Sequence, residues 1–339
     1  MVNVLGNYPS ITRQRSGLFS LDLALGSRGE LGVPMRTIIE LYGYTNVGKS
    51  TLSYFLSSKL TGKGDTVICD LENADRDYIK TTAESAGLDG DVHLIDAIDE
   101  KGGFIPHEEM LGNLTVKFSE DKVGAAIVDS VGAIQPIAEA EGDFGEAFMG
   151  KRAKLVAQVS RSLTNLVRNK TRPSVAIVVN HVHGIMGGKG HTTAGGDTLK
   201  YLAAVRMMIW PGITYTVSDE DLKPLGFYVS GKIEKLRYGG RGREFSFYIV
   251  PQYGVHEGAS ALMDCLNLGI AESKAVVKMG DKSFGYLKKD LLTYAYEGKQ
   301  RKFEPFVEAL AEYEKTVLSK TDFTIKEEIE EPKHAKTKK

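Results

Sequence analysis

Cysteine is scarce in this chain of 339 residues: Cys69 and Cys265 are the only two. Two thiols are too few for a disulfide framework or a structural zinc site, which points to a reducing compartment. No run of about 18 apolar residues occurs, and the opening stretch MVNVLGNYPSITRQRS lacks an apolar leader. The expectation is a soluble, cytoplasmic protein with no membrane partner. An excess of one charge is missing too. Against 43 Lys and Arg stand 44 Asp and Glu, a net charge of −1, so any nucleic-acid surface must be a local concentration of positive charge. What the chain has is 42 % hydrophobic residues and 37 glycines over a length sufficient for a large core. That composition is globular and excludes a membrane protein, a disordered chain and a disulfide miniprotein.

Short β-branched runs alternate with longer amphipathic stretches: TIIELYG (37–43), TVICDL (66–71), VHLI (92–95), GAAIVDS (124–130) and SVAIVVNH (174–181). Runs apolar on both faces and separated by helix-length segments predict an α/β fold with a mostly parallel central sheet. Between Ala203 and Val250 the strand-like runs become closely spaced, with Tyr238-Gly239-Gly240 as a turn signal, which predicts antiparallel edge strands. Helical stretches follow Gly258, and the last 17 residues, FTIKEEIEEPKHAKTKK, read as a charged, disordered tail. The expected organisation is a short N-terminal segment (1–30), a core (31–257), a small C-terminal domain (258–322) and the tail (323–339).

Gly43-Tyr44-Thr45-Asn46-Val47-Gly48-Lys49-Ser50 follows the first apolar run and precedes a helical one, TLSYFLSSKL. This is the GxxxxGK[ST] phosphate loop, in which glycines let successive backbone N–H groups and the helix N-terminus face phosphate oxygens. Lys49 reaches the β- and γ-phosphates and Ser50 ligates Mg²⁺. Asp129 ends the run AAIVD at the carboxyl edge of a buried strand, where a carboxylate supports the metal. Glu72 follows VICDL in the same way, on the side of Asp70, and either orients the attacking water or lies in a solvated loop.

From Lys151 to Arg206 there are ten basic residues and a single acid, Asp197, leaving the rest of the chain at −10. This segment also contains the glycine-rich HGIMGGKGHTTAGG (183–196) and is preceded by EGDFGEAFMG (141–150). Mobile loops beside a basic surface suit a polymer that orders them. His181, His183 and His191 lack suitably spaced Cys or carboxylate partners, so a metal site there is not expected.

Together these segments resemble the RecA family of homologous-recombination ATPases. SGLFSLDLALG (16–26) looks like its opening segment, GYTNVGKST its Walker A motif, CDLENADRDY (69–78) the strand bearing its catalytic glutamate, and AAIVDSVGAI (125–134) its Walker B motif. AEAEGDFGEAFMG (138–150) resembles the first DNA loop. VVNH and HGIMGGKGHTTAGGDTLKYLAAVR (178–206) resemble the phosphate-sensing strand end, the second DNA loop and the helix beyond it. The resemblance implies ATP and Mg²⁺ as ligands, held by 43–50 with Thr51, and a RecA-like core. It makes Glu72 the activator of the water, Tyr78 an adenine-stacking ring, and Asn180 and His181 sensors of the γ-phosphate. Met149 and Ile185 or Met186 become wedges between bases, with Gly195 and Gly196 in the second loop. Lys154, Arg161, Lys200 and Arg206 match basic positions near DNA or a subunit interface, and Lys232 and Lys235 match lysines supplied to a neighbour's ATP. The chain departs from bacterial RecA in having His181 where that pattern has Gln, as in phage UvsX-type recombinases. Only a short stretch precedes SGLFSLDLALG, where bacterial RecA has a long polymerisation helix, so the expected filament is weaker, differently built or helped by a partner.

The implied activity is that of an ATP-dependent recombinase that forms helical filaments on single-stranded DNA and pairs it with a homologous duplex. A ring helicase or remodelling motor shares the Walker motifs without needing GDFGEAFMG or HTTAGGDTLKYLAAVR. A non-hydrolysing mediator does not need the set Lys49, Ser50, Glu72 and Asp129.

Overall fold

The computed structural model describes residues 11–27, 29–98, 101–140, 149–184, 191–216, 224–239, 242–274 and 276–320. A two-residue pair, β1 (Arg13–Gln14) and β2 (Val33–Pro34), brackets helix α1 (Phe19–Leu25). The central elements are β3 (Thr37–Gly43), α2 (Lys49–Thr61), β4 (Asp65–Asp70), α3 (Arg76–Ser85), β5 (Val92–Ile95), α4 (His107–Ser119) and β6 (Val123–Asp129). After α5 (Ile137–Ala140) come α6 (Met149–Asn169), β7 (Val175–Gly184), β8 (His191–Thr193) and α7 (Asp197–Leu202). The edge is β9 (Val205–Thr216), β10 (Pro224–Leu236), β11 (Glu244–Val250) and β12 (Gly254–Val255).

These strands form one ten-stranded sheet in the order β12-β11-β10-β9-β3-β7-β6-β4-β5, with β8 paired to β7. From β9 to β5 neighbours run parallel, and from β9 to β12 antiparallel. The expected strands therefore appear within a residue or so of their predicted starts, although β7 runs on to Gly184 where it pairs with β8.

Alternation in the strands sends side chains to two cores. Ile39 and Leu41 pack with Leu52, Phe55 and Leu56 of α2 and with Leu21 and Leu25 of α1. Ile38 faces the other way, toward Val156, Val159, Leu163 and Val167, the apolar stripe of α6. Burying each of those four side chains contributes roughly 1.5–3 kcal/mol, so α6 is held firmly while its other face, with Lys154 and Arg161, stays exposed.

The C-terminal part comprises α8 (Glu257–Asn267), a three-stranded sheet of β13 (Glu272–Ser273), β14 (Val277–Met279) and β15 (Lys282–Ser283), α9 (Lys288–Tyr296) and α10 (Glu304–Lys320). The little sheet was not expected, because strands of two or three residues are too short to show a period. A third core joins these helices to Tyr248 and Val250 of β11. Ties to the front of the chain include Lys59 with Glu257 at 2.5 Å and an edge-on contact of Phe19 with Tyr313. The charged tail expected at 323–339 lies outside the described residues.

Candidate functional site

β3 delivers the loop 43–48 at its carboxyl end, and α2 begins directly after it. Gly48, which precedes α2, has φ +87°, a left-handed conformation that favours glycine, and the Ile249 side chain packs against it. Tyr44, Thr45 and Asn46 are exposed while Val47 is anchored in the core. The Lys49 side chain is turned inward, its Nζ donating to Tyr44 O at 2.5 Å. Burial lowers its pKa, against the opposing pull of Glu72 and Asp129. Behind it, Thr51 Oγ1 lies 2.9 Å from the Tyr78 hydroxyl, bringing the first turn of α3 against the phosphate-loop helix.

Asp70 and Asp129 stand side by side at the ends of the parallel strands β4 and β6. They do different work. The Asp70 carboxylate accepts from the amides of Glu72, at 3.1 Å, and Ala74, at 2.7 Å, and so shapes the turn that presents Glu72. Asp129 accepts from the Tyr54 hydroxyl at 3.0 Å through Oδ2, whereas its buried Oδ1 has no hydrogen-bond partner among the described residues. Burial, first of all, pushes its pKa up to about 6 against a hydrogen bond from Ser50.

Glu72 Oε1 accepts two hydrogen bonds, from Ser130 Oγ and from His181 Nε2, the latter at 2.9 Å. Burial by itself would raise the Glu72 pKa, but these bonds, with the charges of His181 and Lys49, bring it below the usual value. Asn180, also named from the sequence, is fully buried and does not offer its amide outward. Its Nδ2 donates to Glu40 Oε1 and to Ala194 O, both at 3.0 Å, and its Oδ1 accepts from His181 N at 2.8 Å.

Met149 is the first residue of α6, and Lys154 and Arg161 lie exposed along that helix. Ile185 and Met186, like most of the 141–150 stretch, lie outside the described residues. Gly195, at φ +85°, approaches α6 so closely that a Cβ would come within 2.7 Å of Val156 Cγ1, and Gly196 precedes α7. The root of the second glycine-rich loop is thus seated on the helix that follows the first. Lys200 pairs with Asp197 at 2.9 Å, and Arg206 with buried Glu40 at 2.5 Å. Lys232 and Lys235 both project from β10; Lys232 lies 3.9 Å from Glu234, and Lys235 donates to Lys200 O and Tyr201 O at the carboxyl end of α7.

Sequence reasoning missed Ser130, Tyr54 and Glu40. Tyr54 was within reach, standing four residues after Ser50 on the same helical face. Glu40 was also signalled, as the one charged residue in the buried run TIIELYG. Among the described residues, the His and carboxylate set close enough to hold an ion is Asp65, Asp91 and His93. It lies at the amino ends of β4 and β5, away from the phosphate loop, and Lys122 pairs with both of its carboxylates at 3.1–3.2 Å.

The sequence profile of the RecA N-terminal domain matches residues 3–233 of this chain. The chain belongs to the RecA family. Among curated relatives, Protein RecA of Mannheimia haemolytica is 31 % identical over 288 residues, covering 84 % of this chain and 70 % of that protein. Protein RecA of Haemophilus ducreyi is 32 % identical over 274 residues, covering 80 % and 68 %. Protein RecA of Francisella tularensis subsp. novicida is 30 % identical over 291 residues, covering 84 % and 71 %. Family membership makes the chain a recombinase of the RecA type, built on the mostly parallel sheet with antiparallel edge that the motifs implied. No helix among its described residues is long and apolar enough to cross a membrane.

Proposed function

We propose that this RecA-family chain hydrolyses ATP with Mg²⁺ in a DNA-dependent manner, and that it assembles on single-stranded DNA and exchanges it with a homologous duplex. The observation that carries the reading is the hydrogen-bonded chain from Glu72 through His181 to Asn180 and Ala194, because it joins a water-activating carboxylate to the root of the second loop. The site fits the metal. Asp129 Oδ1 is buried without a hydrogen-bond partner among the described residues, and the Ser50 hydroxyl lies beside the same carboxylate. Mg²⁺ held there supplies positive charge to the phosphate oxygens.

The protein groups divide the remaining work. Loop 43–48 and the N-terminus of α2 cradle phosphate with backbone N–H groups. Lys49 exchanges its bond to Tyr44 O for phosphate oxygen, and its low exposure strengthens that attraction. Glu72 keeps Oε2 clear of the Ser130 and His181 bonds, and its depressed pKa keeps it ionised and ready to orient a water. Tyr78 supports the base. Lys154 and Arg161 on α6 meet DNA phosphates, while Met149, Ile185 and Met186 separate bases. Lys232 and Lys235 serve the ATP of a neighbouring protomer.

The decisive experiment is an ATPase assay with and without single-stranded DNA, combined with DNA titrations in the presence and absence of a non-hydrolysable ATP analogue. His181→Ala is expected to leave ATP binding to the free protein nearly intact and to abolish both DNA stimulation and analogue-induced tightening. A folded variant with the wild-type tightening ratio removes His181 from the relay. Closed rings rather than helical filaments in electron micrographs of the DNA complex would assign the chain to a motor.

A further inference from the structure

Glu40 lies in the middle of β3, fully buried. A carboxylate there is costly unless both oxygens are partnered, and both are. Oε2 receives Arg206 Nε at 2.5 Å from the adjacent strand β9, where Glu40 and Arg206 are in register. The Arg206 guanidinium also lies over the Tyr42 ring, 4.7 Å from its centroid. Oε1 receives Asn180 Nδ2 at 3.0 Å from β7, the strand on the other side.

An ionised carboxylate only accepts, so it dictates which way the Asn180 amide faces. With Nδ2 turned toward Glu40, the second Nδ2 hydrogen reaches Ala194 O and Oδ1 receives the His181 amide. Reversing the amide would set an oxygen against both acceptors and a donor against the His181 N–H. Ala194 directly precedes Gly195, which is packed on Val156 of α6. Glu40 therefore stands at the crossing of three strands and fixes one hydrogen-bond polarity from His181 to the loop root.

We propose that Glu40 is a positioning residue for the DNA-dependent ATPase reaction: by orienting the Asn180 amide it couples His181, and so Glu72, to the root of the second loop at Ala194. The proposal rests on the functional reading above. Glu40 is too deeply buried to touch nucleotide or DNA, and it acts only through Asn180.

A neutral amide at position 40 replaces one of the two acceptor oxygens with an NH2 group, so whichever way it faces, either Arg206 or Asn180 meets a donor where it had an acceptor. Glu40→Gln, measured where circular dichroism shows it folded, is expected to bind a non-hydrolysable ATP analogue within about twofold of wild type, while the factor by which the analogue tightens oligo-dT binding falls roughly tenfold. Glu40→Gln combined with Arg206→Gln lets the amide at 40 accept from Asn180 and donate to the amide at 206. This pair is expected to restore the factor. A merely structural Glu40 predicts a lower Tm with an unchanged factor in folded Glu40→Gln, and that result overturns the proposal. If Glu40→Gln does not fold, amide hydrogen exchange on the wild type decides. The analogue without DNA is expected to slow exchange over 191–196, and unchanged exchange there rejects the coupling. A wild type whose DNA binding ignores the analogue defeats the underlying functional reading and this proposal with it, whereas a coupled wild type with a coupled Glu40→Gln defeats this proposal alone.

Discussion

At the scale of single residues, neighbouring carboxylates have been given different tasks by their surroundings. Asp70 is occupied by two backbone amides, Asp129 retains a buried oxygen unpartnered among the described residues, and Glu72 is held through one oxygen by Ser130 and His181. These differences separate the effects of substitution. Glu72→Ala is expected to bind ATP and DNA while turnover falls roughly 10²-fold or more. Wild-type turnover in that variant would remove Glu72 from the water-activating role. Lys49→Ala, which loses a phosphate contact rather than a base, is expected to weaken nucleotide binding itself, measurable by titration with a fluorescent ATP analogue.

Elements set the direction in which each function faces. Helix α6 buries Val156, Val159, Leu163 and Val167 and leaves Lys154 and Arg161 outward. Neutralising both cations is expected to lower single-stranded DNA affinity across sequences and to flatten the slope of log K against log [salt] by about 1–2. An unchanged slope would locate the DNA elsewhere. At the other end of the molecule, Asp264 of α8 accepts from Ser20 N of α1 at 3.1 Å, and burial, opposed by these hydrogen bonds, raises its pKa from 3.8 to about 7. Between those values the folded protein holds a proton that the unfolded chain has released, so stability declines as pH rises through this window and levels off above it. Thermal melts of Asp264→Asn against wild type should therefore show the variant gaining ground from about pH 4 to about pH 7. A constant difference would mean that Asp264 titrates normally.

On the scale of the whole molecule, the ten-stranded sheet gathers the phosphate loop, Glu72, Asp129 and His181 at one edge, while β10 carries Lys232 and Lys235 two strands from β3. Under the proposed reading Lys232 and Lys235 serve a neighbour's ATP, so one site is shared by two protomers. ATP turnover per protomer is accordingly expected to rise with protein concentration on saturating single-stranded DNA and to fall for Lys232→Ala. A turnover per protomer that does not change with protein concentration would confine the site to one chain. Linkage adds a second constraint, because a nucleotide that tightens DNA binding by a given factor must itself bind tighter to the DNA complex by the same factor.

Several of these features were legible in the amino-acid order alone. The phosphate loop is contiguous, so a glycine pattern between an apolar run and a helical one reveals it, and buried parallel strands betray themselves as unbroken β-branched runs. The acids Glu72 and Asp129 could be read as well, since each terminates such a run. The contacts among them could not. Glu40 lies more than a hundred residues in sequence from both Asn180 and Arg206, and which strands stand beside one another depends on crossovers that local periodicity does not encode. Only the order β9-β3-β7-β6-β4 brings Arg206, Glu40 and Asn180 into one hydrogen-bonded group and sets His181 beside Glu72. Local pattern determined the parts, because backbone conformation and burial follow from neighbouring residues. Tertiary structure decided their connection, because hydrogen bonds between strands require distances of about 3 Å that strand order alone creates.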